Sequence, residues 1–125
     1  MEEMCIFCRL KDESKIISSN LAFVIEDSSP VTKLHSLIIP NRHFASFFDI
    51  TNEELVEINS LIRQRKDQIL AEDPTVEGFN IGINIGETAG QSVFHLHVHL
   101  IPRRAGDLEN PKGGIRGVIP EKRNY

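Results

Sequence analysis

The chain has 125 residues, 40% of them hydrophobic and 26% charged, with a net charge of −4, enough for one domain with its own core. The acidic balance removes the electrostatic reason to expect nucleic acid as the main partner. No apolar run approaches the ~18 residues of a membrane span, and the acidic start Met1-Glu2-Glu3-Met4 lacks the apolar stretch of a secretory signal. A cytoplasmic protein is therefore expected, in which the two cysteines, Cys5 and Cys8, are thiols or metal ligands in preference to a structural disulfide.

Cys5-Ile6-Phe7-Cys8-Arg9-Leu10 opens the chain as a short turn or helical turn. Lys15-Ile16-Ile17-Ser18 and Leu21-Ala22-Phe23-Val24-Ile25 read as a hairpin turning at Ser19-Asn20. After the polar, Pro-punctuated Asp27-Ser28-Ser29-Pro30, a third strand runs His35-Ser36-Leu37-Ile38-Ile39 and stops at Pro40. Phe44 to Phe48 reads as a short helical piece. Thr51 and Glu54 form a capping box at the start of the main helix. In that helix Leu55, Ile58, Leu61, Ile62, Ile69 and Leu70 make an apolar stripe, with Glu54, Glu57, Arg63, Lys66 and Asp67 on a solvated face. Gly78-Phe79-Asn80-Ile81-Gly82-Ile83-Asn84 is a fourth strand, followed by the loop Asn84 to Gly90. The fifth is Phe94-His95-Leu96-His97-Val98-His99-Leu100, whose alternation puts Phe94, Leu96, Val98 and Leu100 on one face. Beyond Arg103 glycines and prolines replace large apolar residues. Strands mixed with one long and one short helix predict an α+β domain with a mostly antiparallel five-stranded sheet. It spans 1–125, with a core over 1–103 and a tail over 104–125 packed on the surface or on a partner subunit.

Three of the five histidines, His95, His97 and His99, share the other face of the fifth strand, at intervals of roughly 6.6–6.8 Å. Filling a core with imidazoles would require a partner for every ring nitrogen. Two functional readings follow. A His-x-His pair can aim two imidazoles at one metal, with a third ligand from elsewhere. Alternatively, one imidazole held by a carbonyl at one nitrogen attacks phosphorus with the other, while nearby amides, Ser92, Gln91 and flanking imidazoles supply donors. Spacing does not separate these two. One Cys-x-x-Cys is also compatible with a redox dithiol or with two core cysteines.

Gln91-Ser92-Val93-Phe94-His95-Leu96-His97-Val98-His99-Leu100 resembles the signature of the histidine triad (HIT) superfamily of nucleotide hydrolases and transferases. Asp27-Ser28-Ser29-Pro30-Val31-Thr32-Lys33-Leu34-His35-Ser36-Leu37-Ile38-Ile39-Pro40-Asn41-Arg42-His43 is similar to the upstream block of that family, and Asn84 stands eleven residues before His95. The resemblance implies that His97 is the nucleophile and that His99 and His35 bind phosphate and orient or polarise the reacting group. It implies that Asp27 accepts from the ribose hydroxyls, and that Asn84, Gln91 and Ser92 contact phosphates and leaving group. Ile6, Phe7, Leu10 and Ile25 fall where the family builds its slot for the base, although each is equally readable as core. Many microbial members bind a structural zinc through the same cysteine pair and two histidines, which here implies Cys5, Cys8, His43 and His95.

Members of the Hint branch end soon after the triad with a tryptophan-containing tail. This chain has no tryptophan and continues for 26 residues beyond His99. The ending from Asn110 to Tyr125 resembles microbial proteins labelled diadenosine polyphosphate hydrolases. Arg103, Arg104, Lys112, Arg116, Lys122 and Arg123 read either as charge for a polyphosphate or as a solubilising surface. The resemblance implies a homodimeric hydrolase acting at the α-phosphate of a purine nucleotide, either a dinucleoside polyphosphate or a nucleoside phosphoramidate. The reaction would pass through a nucleotidyl-histidine, need no catalytic cofactor, and have magnesium accompanying a polyphosphate substrate. The alternatives are a nucleotidyltransferase or phosphorylase, and a non-catalytic nucleotide- and zinc-binding module.

Overall fold

The computed structural model describes residues 4–12 and 15–124; residues 1–3, on which the acidic-start reading rests, and Tyr125 lie outside that range. A five-residue helix α1 (Ile6–Leu10) leads into β1 (Ile17–Ser18), β2 (Ala22–Glu26) and β3 (Ser36–Pro40). The long helix α2 (Asn52–Glu72) follows, then β4 (Val76–Gly82) and β5 (Val98–Arg104). The strands form one sheet in the order β1-β2-β3-β5-β4, every pair antiparallel. The fold is α+β, as expected.

α2 starts where the capping box predicts. The Thr51 hydroxyl accepts from the Glu54 amide and the Glu54 carboxylate accepts from the Thr51 amide, at 3.1 and 3.0 Å. The stripe differs from expectation at its edges. Ile58, Leu61 and Ile69 are buried, whereas Leu55 and Leu70 are exposed. Glu54, read as solvated, is only 3% exposed, because Arg42 donates Nε–H and Nη2–H to its two carboxylate oxygens at 3.1 and 2.9 Å. That pairing holds the Glu54 carboxyl below its ordinary range. Arg65 is buried on the same stripe, bonded to Ser36 Oγ at 2.8 Å and to Glu26 at 3.3 Å. Glu57 is half-buried and accepts from Ser19 and from the Leu21 amide.

Strand boundaries shift for local reasons. β3 ends on Pro40 itself and excludes His35, whose amide closes a turn onto the Thr32 carbonyl at 3.1 Å. That turn passes through Leu34 at φ +73°, an uncommon conformation for a non-glycine residue. β4 begins two residues earlier and ends two residues earlier than its pattern suggested, and the short helical piece is a 3₁₀ turn over Phe47–Asp49.

The largest departure concerns the histidines. β5 starts at Val98, so His95 and His97 precede the strand. The Leu96 amide leaves the sheet and bonds the Phe44 carbonyl at 2.7 Å, and Phe94 swings out to 48% exposure, off the apolar face it was expected to join.

The sheet has two unlike faces. Ala22, Val24, Ile38, Val98 and Leu100 pack with Ile58, Leu61 and Ile69 of α2 in one apolar core. Phe23, Ile25, Leu37 and Ile39 point the other way and are covered by Phe7 of α1. Among the described residues no helix is long and apolar enough to cross a membrane.

Candidate nucleotide site and metal cluster

On an α-helix, residues three apart lie on one side, so Cys5, at the N-cap of α1, and Cys8 face the same way. Opposite them stand His43, from the segment after β3, and His95. Cys8 Sγ lies 3.2 Å from His43 Nδ1 and 3.5 Å from His95 Nδ1; Cys5 Sγ lies 3.4 Å from His95 Nδ1, and the two Nδ1 atoms are 3.1 Å apart. A tetrahedral ion at ordinary Zn–S and Zn–N distances sets its ligand atoms about 3.3 to 3.8 Å apart, so the four donors already have the shape of such a site. All of their ligand atoms lie within 4.8 Å of one another. His95 is wholly buried, and its Nε2–H donates to the Pro40 carbonyl at 2.8 Å. That bond fixes the tautomer with the Nδ1 lone pair facing the cluster, the arrangement of a metal-ligating histidine with its supporting carbonyl. The residues fit a closed Cys2His2 metal site, with no position left over for a reacting group.

His97 belongs to a different place. Phe7 makes T-shaped contacts with both rings, 5.9 Å from His95 and 5.0 Å from His97, and so lies between the Cys–His cluster and the cavity. The Nδ1–H of His97 donates to the His95 carbonyl at 2.9 Å. A carbonyl can only accept, so Nε2 keeps its lone pair. His97 lines a cavity of about 800 Å³ whose apolar end is built by Ile6, Phe7, Leu10, Ile25, Leu37 and Val93. Its polar end carries Asp27, Ser28, Ser29, Asn84, Ser92 and His99. Asp27 is positioned by its own turn, with Oδ1 accepting the Ser29 amide at 2.8 Å.

Two expected phosphate contacts lie elsewhere. Gln91 is buried with its amide fully used: Oε1 accepts from the Gly86 amide at 2.8 Å, and Nε2 donates to the Ala45 and Val93 carbonyls at 3.0 and 3.2 Å. It shapes the Asn84–Ser92 loop and does not line the cavity. His35, 2% exposed, sits behind His99. The Val31 amide donates to its Nδ1 at 3.0 Å, which leaves the proton on Nε2, and Nε2–H donates to His99 Nδ1 at 3.0 Å. The proton of His99 is therefore on Nε2. Burial, and then the neighbouring His97 and His35, push His99 down to about 4; burial also lowers His35, against the pull of Asp27. Both rings are neutral near pH 7 with assigned tautomers. Asp27, His35 and His99 also gather three donor atoms within 4.8 Å, but the hydrogen bond from the Val31 amide to His35 Nδ1 leaves the proton on Nε2, the nitrogen that faces Asp27 and His99.

Sequence reasoning missed the groups that set these tautomers, the Val31 amide and the carbonyls of Pro40 and His95. They are backbone atoms and carry no residue-type signal. The spacer role of Phe7 follows only from its two ring contacts.

The sequence profile of the HIT domain family matches residues 9–106. An uncharacterized HIT-like protein of Methanocaldococcus jannaschii is 35% identical over 117 residues, covering 89% of this chain and 88% of that protein. An adenosine 5'-monophosphoramidase of Saccharomyces cerevisiae is 33% identical over 108 residues, covering 83% and 65%. The solved structure of a zinc-bound histidine triad family protein of Mycobacterium smegmatis superposes with a TM-score of 0.74 at 31% identity, covering 88% of this chain and 82% of that one. Curated relatives of the chain include nucleotide hydrolases. This protein belongs to the HIT domain family.

Proposed function

We propose that the protein hydrolyses a nucleotide at its α-phosphate, whether a nucleoside phosphoramidate or a dinucleoside polyphosphate, through a nucleotidyl group on His97. The observation that carries this reading is the 2.9 Å bond from His97 Nδ1 to the His95 carbonyl, which frees Nε2 as a nucleophile on the cavity wall. The base would lie between Ile6, Phe7, Leu10 and Ile25, with the ribose hydroxyls on Asp27. Ser92, Asn84 and the Nε2–H of His99 are the donors available to the phosphate oxygens. In the first step His97 Nε2 forms a bond to phosphorus as the bond to the leaving group breaks; the leaving atom takes that electron pair and a proton. Water then adds hydroxide to phosphorus, returns its proton to the site, and frees His97 and a nucleoside monophosphate.

Zinc is the ion we infer for Cys5, Cys8, His43 and His95, where it would join α1 to the segments around His43 and His95. Its chemistry there is structural, and its consequence for the reaction is the placement of Phe7 and the base slot. We also infer a homodimer. β4 is an unpaired sheet edge with Ile81 52% exposed, beside a groove formed with Ile62 and Asn59 of α2. Such an edge is a ready template for a second copy.

The test is single-turnover reaction with labelled adenosine phosphoramidate and with labelled diadenosine tetraphosphate, in wild type and His97→Ala. Covalent label trapped on wild type and absent from the variant is the expected result, with turnover lost by about 10⁴-fold or more. Binding of both substrates without turnover would overturn the hydrolase reading.

A further inference from the structure

Along the face that α2 turns to the sheet, Ile58, Leu61, Arg65 and Ile69 are buried at spacings of three and four. An arginine thus stands where the stripe calls for an aliphatic side chain, and it is 4% exposed. Stability does not account for it. Burying an ion pair costs desolvation, and well-packed apolar residues of similar volume often serve as well or better. The bonds that Arg65 makes indicate a role in placement.

Nε–H donates to Ser36 Oγ at 2.8 Å, Nη1–H to Gln68 Oε1 at 3.0 Å and Nη2–H to Glu26 Oε1 at 3.3 Å. Glu26 and Ser36 are opposed at the end of the β2–β3 ladder. Strand alternation sets them on the α2 side with Val24 and Ile38, and carries their chain neighbours Asp27 and His35 to the other side with Ile25 and Leu37. Each branch of the fork therefore ends one residue from the candidate site. On the first branch, the Ser36 hydroxyl receives Nε–H and gives its own proton to the Leu34 carbonyl at 2.9 Å. Leu34 has φ +73°, so this bond pins the strained step immediately before His35. On the second, Glu26 leads into Asp27, whose amide donates to the His35 carbonyl at 2.9 Å and whose Oδ2 lies 3.6 Å from His35 Nε2.

Arg65 borders neither the cavity that His97 lines nor the second one, of about 710 Å³, that the tail turn Gly114–Val118 forms against the sheet. It can act on the site only through other residues. We propose that Arg65 is a positioning residue: from the far side of the sheet it holds Asp27 where the ribose hydroxyls meet it and His35 where it donates to His99. The proposal rests on the roles given to Asp27 and His35 above and adds the group that places them.

The experiment measures equilibrium binding of adenosine 5'-monophosphate and of its 2',3'-dideoxy analogue, together with the NMR signal of the His35 Nε2–H proton in the free protein. The proteins are wild type, Arg65→Met, Ser36→Ala and Leu61→Ala, with Tm as a control. Leu61→Ala removes packing from the same stripe without touching the fork. Wild type is expected to bind the ribonucleotide about tenfold or more tighter than the dideoxy analogue, with a sharp imidazole signal from the bond to His99. In Arg65→Met that ratio is expected to fall about threefold or more, and the signal to broaden, while the protein stays folded. Ser36→Ala, which severs the Leu34 branch, is expected to broaden the signal too, and it decides the question if Arg65→Met does not fold. Leu61→Ala is expected to lower Tm and keep both readouts. Ratio and signal unchanged in folded Arg65→Met overturn the proposal, as does their equal loss in Leu61→Ala, which would make the effect one of general stability. Wild type that binds both nucleotides alike defeats the ribose role of Asp27 itself, a failure visible before any variant is made.

Discussion

The two faces of the sheet are closed in different ways. The α2 face is sealed by twenty-one helical residues, and its buried charges, Arg65 and Glu54, are paired within the protein. The histidine face is covered by five residues of α1, by loops and by a 3₁₀ tail, and it contains two cavities. A helix that short is marginal on its own. Its hold on the sheet comes from Phe7 and from the two cysteines that face His43 and His95. One face thus supplies stability through apolar area, and the other gives up area for a site and depends on Phe7 and the Cys–His cluster.

The largest expected effect follows from that dependence. Stripping metal from the Cys2His2 cluster, or Cys8→Ser, should lower Tm by on the order of 10 °C or more. It should also abolish nucleotide binding, while the α2 circular dichroism signal survives at low temperature. Chelation that stops turnover with Tm unchanged would mean that the metal belongs to the chemistry instead.

On the opposite face, Leu61→Ala removes a side chain that is wholly buried under the sheet and should cost about 3 kcal/mol, a fall in Tm of roughly 10 °C. Below that melting range kcat/KM should match wild type, since Leu61 borders neither cavity. A matching loss of activity in folded protein would show that the two faces are coupled.

Glu54→Ala should destabilise by about 1–2 kcal/mol, because it removes half of the capping box and frees Arg42, whose guanidinium also lies 4.0 Å over the Phe44 ring. Equilibrium denaturation measures this directly.

The last effect is a pH slope, seen only below pH 6.5. His99 is faced by His97, His35 and Asp27, and it titrates at about 4 in the fold against 6.5 for an ordinary histidine. The unfolded chain therefore takes the proton first, so stability falls as pH drops from 6.5 towards 4. His99→Gln should flatten the Tm profile in that window and leave it unchanged above pH 7. An identical slope in the variant would remove His99 as the cause.

Much of the site was legible because it is written in residue types with fixed roles. Cys5 and Cys8 with His43 and His95, and Asp27, Ser92, His97 and His99 around one cavity, were proposed together from the resemblance to the HIT family, since spacing alone left metal ligation and nucleophilic catalysis open. The capping box of α2 was legible without it, since its two members are local. Glu54 and Gln91 were misplaced by the same kind of reasoning. A carboxylate or amide reads as exposed until its partners are known, and those partners, Arg42 and the carbonyls of Ala45 and Val93, are set by tertiary contacts. The even row of histidines was an inference from alternation alone. The chain breaks it before β5 because the Leu96 amide finds the Phe44 carbonyl instead of a strand partner.

Alone, then, the sequence determined the family, the α+β class and the helix start, since all of these depend on local pattern and side-chain chemistry. Tertiary structure decided which nitrogen of each ring carries the proton, that Gln91 is buried away from the cavity, and that the glycine-rich tail walls a second cavity. Those outcomes depend on backbone amides and carbonyls, identical in every residue, whose direction exists only once distant segments have packed together.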